Sequence, residues 1–368
     1  MPKKGETSSE CGRKQNQRFK AYLIFQILLR ETDDKNTLSA KELEKRLSDW
    51  GVDGERHSIY QDIKAINVVH WLLRHRDKTI DDAVEAIEKD TFGKEKIILY
   101  DETKKGFYIQ PKDYSVEQIQ LLAESIYTTK FLTQGDSDEL AKFVCGFVSK
   151  YQAERIQHDA LLTDRVRTNN KKVLANIRTL NMAMENNPKE GSTPQKVNFK
   201  YLSYTLNGEQ VERRKGERFV VSPYQLIIFE GNYYLLAFTD KGQKIQSFRV
   251  DRIGDIRMGN EPREGKEAFL AFNAKEYVRQ VFGMYDGERR RVKIRFIRSL
   301  LNAVYERFGK SAVYTNEDAH HFIISTEVRI SPQFFGWLLG FGTGAELLGD
   351  AETVEKFTAY MDKIRKKY

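Results

Sequence analysis

The stretch from Phe219 to Ile253, FVVSPYQLIIFEGNYYLLAFTDKGQKIQSFRVDRI, narrows the folds open to this chain more than any other. Three short runs of β-branched, aromatic and other apolar residues, Phe219–Val221, Leu226–Phe229 and Tyr233–Phe238, are divided by Pro223 and by Glu230-Gly231-Asn232. A fourth, Ile245–Val250, follows the turn Asp240-Lys241-Gly242. Runs this short, punctuated by turn formers, read as successive antiparallel strands, and so many large apolar side chains call for a small barrel or sandwich with a filled interior. Arg249, Asp251 and Arg252 then stand at a strand end where apolar residues are expected. Charges there need a partner or a task. Two readings stay open: Arg249 and Asp251 form an ion pair holding the strand end, or the arginines face a ligand.

The same stretch resembles the core of WYL domains. Tyr233-Tyr234-Leu235, just after a Gly-containing turn, stands where the family has Trp-Tyr-Leu. Ser222-Pro223-Tyr224 with Leu226 lies upstream, and Phe248-Arg249-Val250-Asp251-Arg252-Ile253 is close to the family's Phe-Arg-Leu-Asp-Arg-Ile. The resemblance implies an Sm-like or SH3-like barrel that senses a nucleic-acid or nucleotide-like effector in a basic pocket. Tyr201, Ser222, Tyr224, Tyr234, Arg249 and Arg252 are the residues expected to line it. Aromatic faces, hydroxyls and guanidinium forks are the groups that stack a base and hold its phosphate.

At 368 residues the chain exceeds what one core supports, so two or three domains are expected. Apolar residues make up 40% of it and charged residues 31%, the balance of a soluble globular protein, and no apolar run approaches the length of a membrane helix. The polar start MPKKGETSSECGRK reads as a disordered lead-in over 1–16 rather than a signal peptide. Cys11 and Cys145 lack the CxxC spacing of a zinc site and form no disulfide framework, which fits a reducing cytoplasm. Of the net charge of +8, a surplus of seven falls within residues 200–300, where 20 Lys and Arg meet 13 Asp and Glu. An acidic partner is expected near the barrel.

Before the barrel, Gln17–Glu31 is dense in apolar residues and predicts a first helix. Ser39-Ala40-Lys41-Glu42 is a capping box opening a second helix that ends near Trp50-Gly51. Val52-Asp53-Gly54 turns into a third, where Ile59, Ile63 and Ile66 give the buried stripe and Arg56, His57, Ser58, Tyr60, Gln61 and Lys64 the opposite side. Three helices with a tight turn before the third have the form of a helix-turn-helix. His57 to Lys64 is similar to the recognition helix of DeoR-like winged helices, with Gln61 in place of the usual Arg. An inserted helix is expected between Trp71 and Phe92, and a wing hairpin follows as Lys96–Tyr100 and Gly106–Ile109, with Lys104 and Lys105 at its tip. These residues are the expected contacts to double-stranded operator DNA.

From Ser115 to Asn187 three helices are predicted, near 115–126, 137–150 and 168–185, ending in a linker at Asn186-Asn187-Pro188. After a less patterned stretch, 261–287, an alternating strand at 289–298, a helix, a strand at His321–Ile330, the segment Phe335–Gly342 and a final helix form a βαββα-like set. It resembles the WCX extension that follows WYL domains. The expected fold is therefore α+β. A winged helix-turn-helix occupies 17–111, a helical linker and dimerisation region 112–190, an Sm/SH3-like barrel 195–260, and an α/β sandwich-like WCX domain 288–368.

No GxxxxGK[ST], GxSxG or HExxH occurs, and His320 and His321, adjacent in a strand, point to opposite faces rather than to one metal. The expectation is not an enzyme, with neither cofactor nor metal, but a cytoplasmic homodimeric DNA-binding regulator, in repressor mode, with no membrane segment. The competing reading is an accessory protein that binds RNA or single-stranded DNA without regulating a promoter.

Overall fold

The computed structural model describes residues 16–160, 167–186 and 191–368. Cys11, nearly all of the expected lead-in and residues 187–190 of the expected linker lie outside them. The chain forms two compact units, Met1–Arg167 and Thr168–Tyr368.

In the first unit α1 (Lys20–Glu31), α2 (Ala40–Asp49) and α3 (Arg56–Arg74) enclose a core of Ile24, Leu28, Leu43, Leu47, Ile59 and Ile63. The capping box forms as expected: the Ser39 side chain accepts from the Glu42 amide, and the Glu42 carboxylate accepts from the Ser39 amide. Helix α3 runs on past Ile66 to Arg74, because its apolar face continues through Val68 and Trp71. The inserted helix α4 (Ile80–Lys89) lays Ala83 and Ile87 on that extension.

The hairpin β1 (Ile98–Asp101) and β2 (Gly106–Ile109) is fixed to α3 by one buried side chain. Asn67 Oδ1 accepts from the amides of Ile97 and Ile98 at 2.9 and 2.8 Å, and its Nδ2 donates to the Ile98 carbonyl at 3.1 Å. Leu38 pairs with Phe107 as a third, one-residue strand. The approach requires glycine at 106, where a Cβ would lie 2.4 Å from Thr37 Oγ1.

Between residues 115 and 160 the structure has three helices rather than two: α5 (Val116–Thr128), α6 (Gln134–Cys145) and α7 (Lys150–Ala160). The helix expected over 137–150 starts earlier and ends at Cys145, and α7 is additional to it, opened by Ser149, whose Oγ accepts from the Gln152 amide at 3.2 Å.

In the second unit α8 (Val173–Met184) packs on the sheet that follows it. That sheet comprises β3 (Gln195–Tyr204), β4 (Gln210–Glu212), β5 (Arg218–Phe229), β6 (Asn232–Thr239), β7 (Lys244–Arg249) and β8 (Ile253–Pro262). The order is β4-β3-β5-β6-β7, with β8 also pairing β3. The expected barrel is thus corrected: among the described residues the ladder does not close, and β7 and β8 are not paired with each other. Strand β5 serves both halves, pairing β3 through Arg218–Val221 and β6 through Ser222–Phe229, with a bulge at Tyr224 after Pro223.

Helices α9 (Lys266–Leu270) and α10 (Ala274–Gln280) occupy the stretch that lacked pattern in the sequence. The remainder is β9 (Glu288–Ile297), α11 (Leu301–Phe308), β10 (Val313–Asn316), β11 (His321–Ile330), α12 (Pro332–Leu339), β12 (Ala345–Leu348) and α13 (Ala351–Arg365). Its antiparallel order, β10-β11-β9-β12, makes it a split βαβ unit, a βαββαβ set with one more helix rather than the shorter βαββα pattern expected. One face buries Val292, Ile294, Phe296, Phe322, Ile324 and Val328 against Val304 and Phe308 of α11 and Phe334, Phe335 and Leu338 of α12. The other face carries Arg289, Arg291, Lys293 and Arg295.

Candidate functional site

The strand end at Arg249 resolves the first of the two readings left open by the sequence. Arg249 donates from Nε to Asp251 Oδ1 at 3.0 Å and from Nη2 to Oδ2 at 2.8 Å, and the Asp251 side chain is only 1% exposed. Burial alone would lower the Arg249 pKa, but the carboxylate outweighs it and holds the guanidinium above its ordinary value. Arg249 and Asp251 are therefore an ion pair at the strand end.

Three further groups gather there. Tyr234 faces Arg249 across the β6–β7 ladder, and the Tyr201 hydroxyl accepts from the Arg249 amide at 3.1 Å. Burial pushes both phenols up, as expected for hydroxyls held in the neutral form. Tyr201 is set by an aromatic box, with Phe219 and Phe248 at 5.8 and 5.9 Å from its ring and Phe199 touching all three. Arg252 completes the group: its charge acts on Tyr201, and its Nε is buried with no hydrogen-bond partner among the described residues.

Ser222 and Tyr224 point elsewhere. Ser222 is fully buried, and its Oγ accepts from the Glu264 amide at 2.9 Å. The bulge turns Tyr224 onto Phe269, stacked at 4.4 Å, with the Arg263 guanidinium 4.2 Å from its ring and its hydroxyl donating to the Glu264 carbonyl. Both residues tie β5 to the segment leading into α9.

The sequence reading missed two asparagines. Asn170 and Asn176, both buried, flank the start of α8 and donate to the backbone of the 251–253 turn. Asn170 Nδ2 reaches the carbonyls of Asp251 and Ile253 at 3.0 Å each, and Asn176 Nδ2 reaches Ile253 at 2.7 Å. The only signal was a polar residue on each side of a predicted helical start, which is what any exposed helix would also carry.

In the first unit, Arg56, His57, Tyr60, Gln61 and Lys64 are exposed on α3. His57 Nε2 and Gln61 Nε2 lie 3.0 Å apart, and Tyr60 meets Phe107 of the hairpin edge-on at 5.1 Å. Ser58 instead turns inward, accepting from the buried Lys20 Nζ, which also pairs with Asp62 at 2.9 Å. Lys64 is paired with Glu88 of α4. At the hairpin tip Lys104 Nζ donates to the Asp34 carbonyl at 2.7 Å, and Lys105 takes a left-handed φ of 52°.

His321 pairs with Asp318 at 2.9 Å. The carboxyl of Asp318 is drawn down to about 2 by His321 and by the amide of His320. Glu317 lies within metal-binding reach of both but is paired with Arg295 at 2.7 Å, so the group is an exposed ion-pair network. Among the described residues no helix is long and apolar enough to cross a membrane.

Residues 193–258, which include most of the sheet carrying the Tyr201, Arg249 and Arg252 cluster, match the WYL domain family. No curated protein matches the chain. Among solved structures it is similar to the proteasome accessory factor B/C (PafBC) of Arthrobacter aurescens, at 12% identity and a TM-score of 0.27, over 100% of this chain and 52% of that one. It therefore spans about half the length of that structure. A CRISPR Cas-related protein is similar at 14% identity and a TM-score of 0.25, over 93% of this chain and 97% of the other.

Proposed function

We propose that the protein is a homodimeric, sequence-specific DNA-binding regulator of transcription, acting as a repressor, whose WYL domain senses a nucleic-acid or nucleotide-like effector. The observation that carries the effector reading is Arg252. The neighbouring Arg249 is neutralised by Asp251, whereas Arg252 keeps a buried Nε–H with no acceptor among the described residues. Leaving such a donor unmade costs about 1–3 kcal/mol, which an incoming phosphate oxygen or base carbonyl would offset. Tyr201 lies within reach of the Arg252 charge, and its hydroxyl stands at the same strand end.

The DNA-reading role rests on the first unit. Helices α1 to α3 with the β1–β2 hairpin have the element order of a winged helix-turn-helix, and Arg56, His57, Tyr60 and Gln61 present donors on the outer face of α3. The C-terminal split βαβ unit takes the part of the WCX extension.

The test uses the full chain and a duplex from a promoter it occupies. Arg252→Gln is expected to abolish the response to a short oligonucleotide effector while leaving duplex binding intact. Replacing Arg56 and Gln61 together with Ala is expected to weaken duplex binding and relax its sequence preference. Unchanged promoter affinity in that double variant refutes the reader assignment and favours an accessory role on RNA or single-stranded DNA. An unchanged effector response in Arg252→Gln refutes the sensor assignment.

A further inference from the structure

A second charged cleft lies in the C-terminal part of the chain, away from the Arg249–Arg252 cluster. Helix α10 crosses the uncovered face of the four-stranded sheet and leaves a cavity of about 450 Å³ between them. Its walls include Glu276, Arg279 and Gln280 from α10, Arg289 and Arg291 from β9, and Ser325 and Glu327 from β11. Lys293 is next along β9 on the same face and pairs in register with Ser325.

The pairing inside the cleft is uneven. Glu327 takes Arg289, one long contact of 3.4 Å from Arg291, and the Nε2 of the buried Gln280 at 3.3 Å. Glu276 is shared with Arg289 at 3.7 Å. Both carboxylates are thus committed first to Arg289. Among the described residues Arg279 and Lys293 have no carboxylate within 4.0 Å, and Arg291 has only the long contact. Counting Lys293, four cations face two carboxylates, leaving two positive charges in excess. A phosphate ester carries about −1.5 to −2 at neutral pH, which matches that excess, and guanidinium forks with a hydroxyl are its usual donors.

We propose that this cleft binds a small phosphate-bearing anion, held by Arg279 from α10, Arg291 and Lys293 from β9 and the Ser325 hydroxyl from β11. The site is separate from the proposed effector site, yet α10 touches both regions. Tyr277, one turn before Gln280 and buried, belongs to the apolar cluster that contains Tyr234, Leu236 and Phe238 of the WYL sheet. Arg329 of β11 lies 5.0 Å from the Tyr277 ring, so the helix is clamped between the two sheets. An anion that draws Arg279 toward β9 therefore acts on the helix that Tyr234 packs against.

The experiment is calorimetric titration of the full-length protein with inorganic pyrophosphate at constant ionic strength, using chloride as the control anion. Saturable binding is expected, weakened roughly tenfold or more by Arg279→Gln or Arg291→Gln, as for loss of one charge-assisted contact. Both side chains are exposed, and unchanged circular dichroism and melting temperature verify that the variants fold. Arg291→Lys keeps the charge but loses the fork and is expected to fall between native and Arg291→Gln. In the Arg252→Gln background, saturable pyrophosphate binding that is still weakened by Arg279→Gln is expected, which keeps this proposal and the effector proposal separately testable. No saturable binding, or binding lost in Arg252→Gln and kept in Arg279→Gln, overturns it.

Discussion

Removing Arg249 converts a satisfied ion pair into a stranded charge. In Arg249→Ala both Asp251 oxygens lose the hydrogen bonds they receive, in a side chain that is 1% exposed. Breaking a buried pair from one side costs about 3–5 kcal/mol, and because the Arg249 side chain is itself 24% exposed, the lower end, about 3 kcal/mol, is expected. The chain has two compact units, so one unfolding midpoint would mix them. Amide hydrogen exchange at Phe248–Ile253 is the appropriate local readout. A loss of 3 kcal/mol corresponds to exchange faster by roughly a hundredfold in that segment, with α1–α3 unaffected. The double variant Arg249→Met, Asp251→Leu removes both charges and is expected to return within about 1 kcal/mol of native, since an apolar pair of similar volume often replaces a buried ion pair without loss. Native protection in Arg249→Ala, or a double variant worse than the single, would refute the reasoning.

Glu88→Gln releases Lys64, so duplex affinity is expected to rise and the salt slope to steepen by about one ion, read from binding at several salt concentrations. Ser58→Ala is expected to cost about 1 kcal/mol in stability, through the lost partner of Lys20, without changing which duplex is preferred. Asn170→Leu, which removes donors from the 251–253 carbonyls, is expected to destabilise the second unit by about 1–3 kcal/mol, measured by urea unfolding. Burial alone would raise the Asp33 carboxyl, but hydrogen bonds from Ser149, Asn36 and the amides of Lys35 and Asn36 outweigh it and hold it below 3.8. Its contribution is present above that value and lost as the pH falls through the lower folded one, so acid unfolding of the first unit is expected to be shallower in Asp33→Asn.

Elements whose burial pattern is local were legible in the sequence. The capping box at Ser39, the Ile59 and Ile63 stripe and the strands around Tyr233–Phe238 each carry a period or punctuation that belongs to one conformation. Elements defined by what they pack against were not. Helix α8 shows an ordinary amphipathic face whether it lies on helices or on a sheet, so it read as part of a linker. Strand β8 exposes Arg257 and Met258 and contains Gly254 and Gly259, which hides its alternation although it pairs along most of β3. Strands β10 and β12 span four residues each, too short for a period to show. In the candidate site the sequence placed Tyr201, Tyr234, Arg249 and Arg252 near one another, but it had no way to register the bulge that turns Tyr224 away.

That bulge and the two asparagines bear on how the site works. The turn Val250–Arg252 joins β7 to β8, and the carbonyls of Asp251 and Ile253 are held mainly by the side-chain amides of Asn170 and Asn176, with a longer contact of 3.4 Å from Gln210 of β4 to Asp251. Side-chain amides at a helix start can shift with that helix, whereas a ladder bond moves only with the sheet. Arg252, whose Nε lacks a partner, sits on this turn, while Arg249, whose charge is matched, sits on the strand before it. The division is physically consistent: a fixed arginine keeps the strand end in place, and an unsatisfied one on a turn clamped by α8 is the group that an incoming anion would reorient. On the proposed function, the signal therefore leaves the WYL sheet through Asn170, Asn176 and α8 rather than through the ion pair. Asn176→Ala should then reduce the effector's influence on duplex binding while leaving effector affinity near native, measured by titrating duplex with and without saturating oligonucleotide. Full coupling in that variant would place the signal on another route.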